Sequence, residues 1–307
     1  MAAAGLELLP GRIQPREGRA WLVSWQHTRG VLRRSSAPGI ASGGPRDVVW
    51  LHAFLAGLSQ AGFPCPCPLP CFSGRSWTVA DGSVWEAVSY LPGHAVGWTG
   101  APPMDEVGSW LGRYHTAARH VATAGQRPGA LTLADVPAIL LSDDLRGIAA
   151  GTQLVVRRLA ARLAADLDTI ARLTPGRVVI HGDFTTDNVV ATGSPPRVTG
   201  VIDFGNAHLE TPLADVAYGL WRSGRPYEQA SRIDVARVRA FVRGYASAAP
   251  VTAEAAAIIP VYLAGRGLQM IAKRVRAGRP DTAMLAQVQW LSAHTGDVAE
   301  AVASALA

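Results

Sequence analysis

Two short β-branched runs, Val178-Val179-Ile180 and Val198-Thr199-Gly200-Val201-Ile202, each break into a polar turn, and these two turns constrain the chain more than any other feature. The first turn reads His181-Gly182-Asp183-Phe184-Thr185-Thr186-Asp187-Asn188, of the form H-x-D-x-x-x-x-N, and the second reads Ile202-Asp203-Phe204-Gly205. Such runs predict strands that end in functional turns. A hairpin-like arrangement would gather Asp183, Asn188 and Asp203 at one end. An Asp so placed accepts a proton from an attacking hydroxyl, an Asn just beyond it reaches a metal ion, and the second turn offers that metal another carboxylate. Phosphoryl transfer asks for positioning and charge neutralisation more than covalent chemistry, so one base and two metal ligands are its minimal equipment. Two buried strands that merely ended in polar turns would not require these residues in this order.

Together with Thr211-Pro212-Leu213-Ala214-Asp215-Val216-Ala217, these segments resemble the aminoglycoside phosphotransferase and choline kinase family, a small-molecule branch of the protein-kinase-like fold. Within it, Ile-His-Gly-Asp-Phe-x-x-Asp-Asn-Val-Val and Thr-Gly-Val-Ile-Asp-Phe are most similar to the homoserine-kinase-like members. The resemblance implies a two-lobed α+β fold, with a small β-rich N-lobe carrying one main helix and a larger, mainly helical C-lobe. It implies Asp183 as catalytic base, His181 as support for its loop, Asn188 and Asp203 as magnesium ligands, and Asp215 as a buried brace. The implied reaction moves the γ-phosphate of ATP to a hydroxyl of an antibiotic, amino alcohol or sugar-like acceptor.

Charge and composition narrow the alternatives. Of 29 basic residues, Lys273 is the only lysine, and it follows Ile271-Ala272. A Walker A loop needs its lysine after a glycine, so a P-loop enzyme is excluded. The phosphate-binding cation must therefore be an arginine. The arginines are spread along the chain and not gathered in one run with interleaved aromatics, which argues for a solvated surface and against a nucleic-acid partner. No apolar run approaches a membrane span, and the N-terminal residues lack the pattern of a signal peptide, so a cytoplasmic location is expected. Cys65, Cys67 and Cys71 alternate with prolines, match no standard zinc spacing, and read as small apolar fillers.

The pattern of elements divides the chain near residue 92, and the resemblance implies a nucleotide-binding lobe over 1–92 and a catalytic and acceptor-binding lobe over 93–307. In the first, residues 20–25 and 30–34 predict two strands, 46–61 a helix with Val48, Leu51, Leu55 and Leu58 on one stripe, and 76–79 with 84–88 a hairpin. Strand alternation puts Val31 and Arg33 on one face. By the resemblance, Arg33 holds the α- and β-phosphates, and Asp47 either pairs with it or caps the helix. Ser89-Tyr90-Leu91 looks like the interlobe hinge, where backbone around Ser89 and Leu91 reads the base; backbone recognition of this kind suits ATP and GTP alike. The phosphate-covering loop falls on residues 14–19, near Gly18.

The second lobe shows helical spacing over 104–123, 154–173, 216–221, 233–247 and 258–277. A small-molecule hydroxyl acceptor would lie among the later helices, with His208 and Glu210 the nearest polar candidates and Arg266, Gln269 and Arg274 beyond them. From Phe204 onward there are eight acids against eleven bases, a balance poorly suited to a polycation. A protein kinase is disfavoured because no Ala-Pro-Glu-like close follows Asp203. A non-catalytic nucleotide-binding protein is the remaining rival, and retention of the base and both metal ligands argues against it.

Overall fold

Turn chemistry and strand alternation build the first sheet. The structure, a computed structural model, describes residues 5–10, 20–36, 44–98, 103–123, 125–142, 145, 148–173, 176–223, 234–278 and 285–306. Within these, β1 (Leu6–Leu8), β2 (Ala20–Trp25), β3 (Thr28–Ser36), β4 (Trp77–Ala80) and β5 (Ser83–Ser89) form one antiparallel sheet in the order β1-β2-β3-β5-β4. β2 turns onto β3 at Gln26-His27 and β4 onto β5 at Asp81-Gly82, each with positive φ at both turn residues. That geometry matches the twist of a two-residue hairpin. Val23, Leu32 and Ala87 point inward, where Leu69, Cys71 and Phe72 complete a small apolar cluster. The anticipated phosphate-covering loop at 14–19 lies outside the described residues.

The one helix of this region among the described residues, α1 (Pro45–Gln60), buries its predicted stripe of Val48, Leu51, Leu55 and Leu58 together with Trp50 and Phe54. Most of these side chains belong to the large core of the C-terminal region and not to that of the sheet. α1 is thus anchored to the lobe that follows, which matters for the site.

β6 (His94–Ala95), α2 (Met104–Ala118), α3 (Val136–Ser142) and α4 (Ala150–Leu173) lead to β7 (Val178–Ile180), β8 (Val189–Thr192), β9 (Arg197–Val201) and β10 (His208–Glu210). Among the described residues, five helices follow: α5 (Pro212–Ser223), α6 (Val235–Ala246), α7 (Ala253–Arg276), α8 (Leu285–Ala293) and α9 (Thr295–Leu306). The direct hairpin between the two motif strands does not form. β7 pairs with β10 and β9 pairs with β8, in two separate small sheets. α2 also stops at Ala118 and not near 123, and Val121, beyond its end, packs against Gly57 of α1. No helix among the described residues is long and apolar enough to cross a membrane.

α2 and α6 cross with their backbones in contact. A Cβ on Gly108 would meet Phe241 O at 2.0 Å, and one on Gly244 would meet Asp105 O at 1.9 Å. Neither neighbour is a flexible side-chain tip, so a methyl must separate the helices. Gly244→Ala is therefore expected to destabilise by about 1–3 kcal/mol, despite the helix-propensity gain of about 1 kcal/mol. The measurement is a lower urea midpoint at unchanged m-value.

Candidate active site

β7 delivers the first polar turn. His181 is fully buried; its Nε2–H donates to Ile202 O at 2.9 Å, and its Nδ1 accepts Asp183 N–H at 3.2 Å. One partner only accepts and the other only donates, which fixes the Nε2–H tautomer. Asn188 Nδ2 donates to Asp183 O at 2.8 Å, and Ile202 N–H donates to Asn188 O at 2.9 Å. These cross-links, in place of the anticipated hairpin, bring Asp183, Asn188 and Asp203 into one constellation.

Asp215, at the start of α5, braces this loop from below with no exposure to solvent. Its Oδ1 accepts Gly182 N–H at 2.8 Å, and its Oδ2 accepts His181 N–H at 2.5 Å and His115 Nε2–H at 3.2 Å. His115, on α2, is held in turn by the Tyr245 hydroxyl at 3.0 Å. Gly182 has φ +73° and a Cβ there would meet Asn206 O at 2.3 Å, so only glycine lets the loop pack on the second turn. Burial alone would raise the Asp215 pKa, yet the bonds from His115 and the loop hold it below the ordinary carboxylate range. A depressed folded pKa gives stability that is full above the unfolded value, about 4, and is lost as pH falls through the folded one. The stability gap between the wild type and Asp215→Asn is accordingly expected to shrink on acidification, and urea titrations at a series of pH values below 5 would show it. A gap independent of pH would contradict the assignment.

Asp203 stands at the head of the second turn with φ 62° and ψ 60°, a left-handed conformation that costs a non-glycine residue free energy and is found at functional sites. Its Oδ1 accepts Arg33 Nη2–H at 3.1 Å. Arg33 Nε also lies 3.7 Å from Glu86 Oε1, since the β3–β5 register sets these two residues opposite each other. Glu86 is buried, and although burial alone would raise its pKa, His52 at 2.8 Å and Arg33 hold it down. The expected Arg33–Asp47 pair is not formed, and the helix cap is Gly44 with no side-chain bond. Asp47 instead pairs, buried, with Nε of Arg127. The reason is register: Glu86 lies one strand from Arg33, whereas the first turn of α1 faces the C-terminal lobe.

Arg127 was not anticipated. Its Nη1 donates to Phe204 O at 3.2 Å and to Gly205 O and Ala207 O at 3.0 Å each, so one guanidinium holds the turn after Asp203 and the start of α1 together. A lone arginine in a loop carries no periodicity, and nothing in the sequence singles it out.

At the anticipated hinge, Ser89 N–H donates to Cys67 O at 2.7 Å and Tyr90 N–H to Arg29 O at 2.9 Å. Ser89 Oγ accepts Cys67 N–H at 2.8 Å. Ser89 is thus committed to the protein itself, and Leu91 N–H is the hinge donor that no backbone bond uses among the described residues. For a divalent cation, Asn188 and Asp203 supply hard oxygen: the amide nitrogen of Asn188 is spent on Asp183 O, which turns its Oδ1 outward as an acceptor. Two oxygen ligands completed by phosphates and water suit magnesium.

Around Asp183 lies a face that the sequence showed only in part. Asp215, Tyr218 and Arg222 recur at helical spacing on α5. The Tyr218 hydroxyl bonds Asp183, and burial followed by this carboxylate pushes its pKa up to about 12. Arg266, on α7, stacks its guanidinium 4.8 Å above the Tyr218 ring and donates to Gly182 O and Gln269 Oε1. Lys273, two turns further along the same face of α7, is buried with its Nζ 3.4 Å from Asn206 Oδ1. His208 and Glu210, by contrast, do not join Asp183. His208 is buried, bonds Asn206 O through Nδ1 at 2.7 Å, and burial drops its pKa to about 4. Glu210 uses its two oxygens on Leu133 N–H and Thr211 N–H at 3.2 and 3.1 Å. Both line a small pocket on the Asp215 side of the loop.

The sequence model of the phosphotransferase enzyme family matches residues 13–251. A homoserine kinase of Beijerinckia indica is 29% identical over 233 residues, covering 75% of this chain and 69% of that protein. A homoserine kinase of Acidiphilium cryptum is 25% identical over 249 residues, covering 78% and 74%. Among solved structures, an amicoumacin kinase in complex with AMP-PNP, Ca2+ and Ami superposes with a TM-score of 0.69 at 14% identity, covering 95% of this chain and 90% of that one. A microcompartment-associated aminopropanol kinase gives 0.67 at 16% identity, covering 98% and 93%. The protein-kinase-like fold is common to them.

Proposed function

Because this chain belongs to the phosphotransferase enzyme family, we propose that it transfers the γ-phosphoryl group of magnesium-ATP to a hydroxyl of a small amino alcohol or hydroxy amino acid. The observation that carries this reading is the constellation of Asp183, Asn188 and Asp203 cross-linked through His181, with Arg33 beside it. Magnesium would be held by Asn188 Oδ1 and Asp203, and when bound it neutralises charge on the transferring phosphate. Arg33 steadies the nucleotide phosphates, and Leu91 N–H reads the base at the hinge. Asp183, oriented by Tyr218, accepts the acceptor's hydroxyl proton. The new bond joins the acceptor oxygen to the γ-phosphorus, the bridging P–O bond breaks, and ADP leaves with that electron pair. The cations Arg222, Arg266 and Lys273 near Asp183 disfavour a polycationic aminoglycoside, and the relatives named homoserine kinase favour a small hydroxyl acceptor. A cytoplasmic location accords with such metabolic chemistry.

The test is magnesium-dependent ATP consumption over a panel of homoserine, choline, simple sugars, aminoglycosides, macrolides and peptide antibiotics. Turnover with the small amino alcohols or hydroxy acids alone is expected. Preferred phosphorylation of an antibiotic would replace this reading, and nucleotide binding with no transfer across the panel would make the protein a non-catalytic binder.

A further inference from the structure

Lys273 has no part in the reaction derived so far, yet the fold places the chain's single lysine next to the site. The side chain is 7% exposed, and among the described residues its Nζ is matched only by a long bond to Asn206 Oδ1 at 3.4 Å. Asn206 is the residue on which Gly182 of the catalytic loop packs. The charges acting on Lys273 are Arg266 of its own helix, Arg127 of the loop before α3, and Asp183, so three cations face one carboxylate. That carboxylate is the reaction base and already bonds Tyr218. Among the described residues Arg266 Nε, on the same helix, is buried without a protein partner, as is Nε of Arg222 on α5, whose Nη2 lies 3.9 Å from Asp187 Oδ2. Buried donors and buried positive charge call for an acceptor of opposite charge.

We infer that Lys273 binds a carboxylate of the acceptor, and so selects hydroxy acids over the same alcohols lacking the acid group. This rests on the small-molecule kinase reading above. The ammonium is compact where a planar guanidinium is broad, which fits a head group enclosed between α7 and the turn at Asn206. Burial first, and then Arg266, draw its pKa down to about 7, and an anion docked against it would restore the charged form. The same chemistry would also serve an oxygen of the transferring phosphate, and the experiment separates the two sources.

Three matched pairs are the probes: homoserine with 3-aminopropan-1-ol, threonine with 1-aminopropan-2-ol, and glycerate with ethylene glycol. In each, the second member is the first without its carboxylate. Steady-state kcat and KM are measured for the full chain and for Lys273→Met, with calorimetric binding of each probe in the presence of AMP-PNP and magnesium. The expected result is that the wild type favours the acid of at least one pair. Lys273→Met then loses about 10–100-fold in kcat/KM for that acid, mainly through KM, while its decarboxylated partner changes less than about threefold. Lys273→Arg, which keeps the charge, should retain part of the preference and guards against misfolding of the Met variant. Equal loss on both members, carried by kcat, would assign Lys273 to the phosphate and overturn the inference. An unchanged preference in Lys273→Met, or no preference and no binding of any acid by the wild type, overturns it too. If instead an acid binds in a Lys273-dependent way but is never phosphorylated, the subsite stands and the kinase reading fails.

Discussion

Asp183→Asn is expected to lower kcat by about 10²–10⁴-fold while leaving nucleotide affinity within a few-fold. The substitution is nearly isosteric, and the bonds that shape the loop are to its backbone: Asp183 N–H to His181 Nδ1 at 3.2 Å, and Asp183 O from Asn188 Nδ2 at 2.8 Å. Both survive, and the amide oxygen still accepts from Tyr218. What is lost is an acceptor for the hydroxyl proton. Paired measurements of turnover and AMP-PNP affinity read the two halves separately. Turnover at the wild-type rate would remove Asp183 from the mechanism, whereas lost nucleotide binding would mean that the residue shapes the ATP site.

The second large effect belongs to Arg127. In Arg127→Met, the Asp47 carboxylate stays buried without its cation, and Phe204 O, Gly205 O and Ala207 O lose their shared donor. Breaking a buried pair by deleting one partner costs about 3–5 kcal/mol, most of it from the charge left behind. Asp47→Asn combined with Arg127→Met should therefore recover part of the stability lost by Arg127→Met alone, a non-additivity that urea titrations of the four proteins would measure. Because the freed carbonyls follow Asp203, the magnesium concentration for half-maximal activity is expected to rise in Arg127→Met and to stay raised in the double variant. Independent, additive effects would show that the pair does not act as a unit.

Local chemistry accounts for what was legible beforehand. Period-two alternation exposed Arg33 beside Val31, helical spacing outlined α1 and most of the later helices, and the two polar turns stood out because each joins a β-branched run to residues that suit a single chemistry. Asp215 was legible only through the resemblance of its segment, residues 211–217, to the family's pattern. Less legible were the partners. Glu86 opposite Arg33 depends on the β3–β5 register, and Arg127 on a loop that folds back beneath the second turn. His208 and Glu210 were anticipated from proximity in sequence, but β10 pairs with β7 and turns them to the Asp215 side of the loop.

By itself, then, the order of residues determined which groups are the candidates for the chemistry and which segments carry them, because strand and helix periodicity and turn preference act over a few neighbours. Only the tertiary structure decided how those groups are charged and held. The pairing of Asp47 with Arg127, the bracing of the loop by His115 through Asp215, and the approach of Lys273 to Asn206 all join residues far apart in the chain. Their strength comes from exclusion of water, and burial is a property of the assembled core that no local pattern encodes.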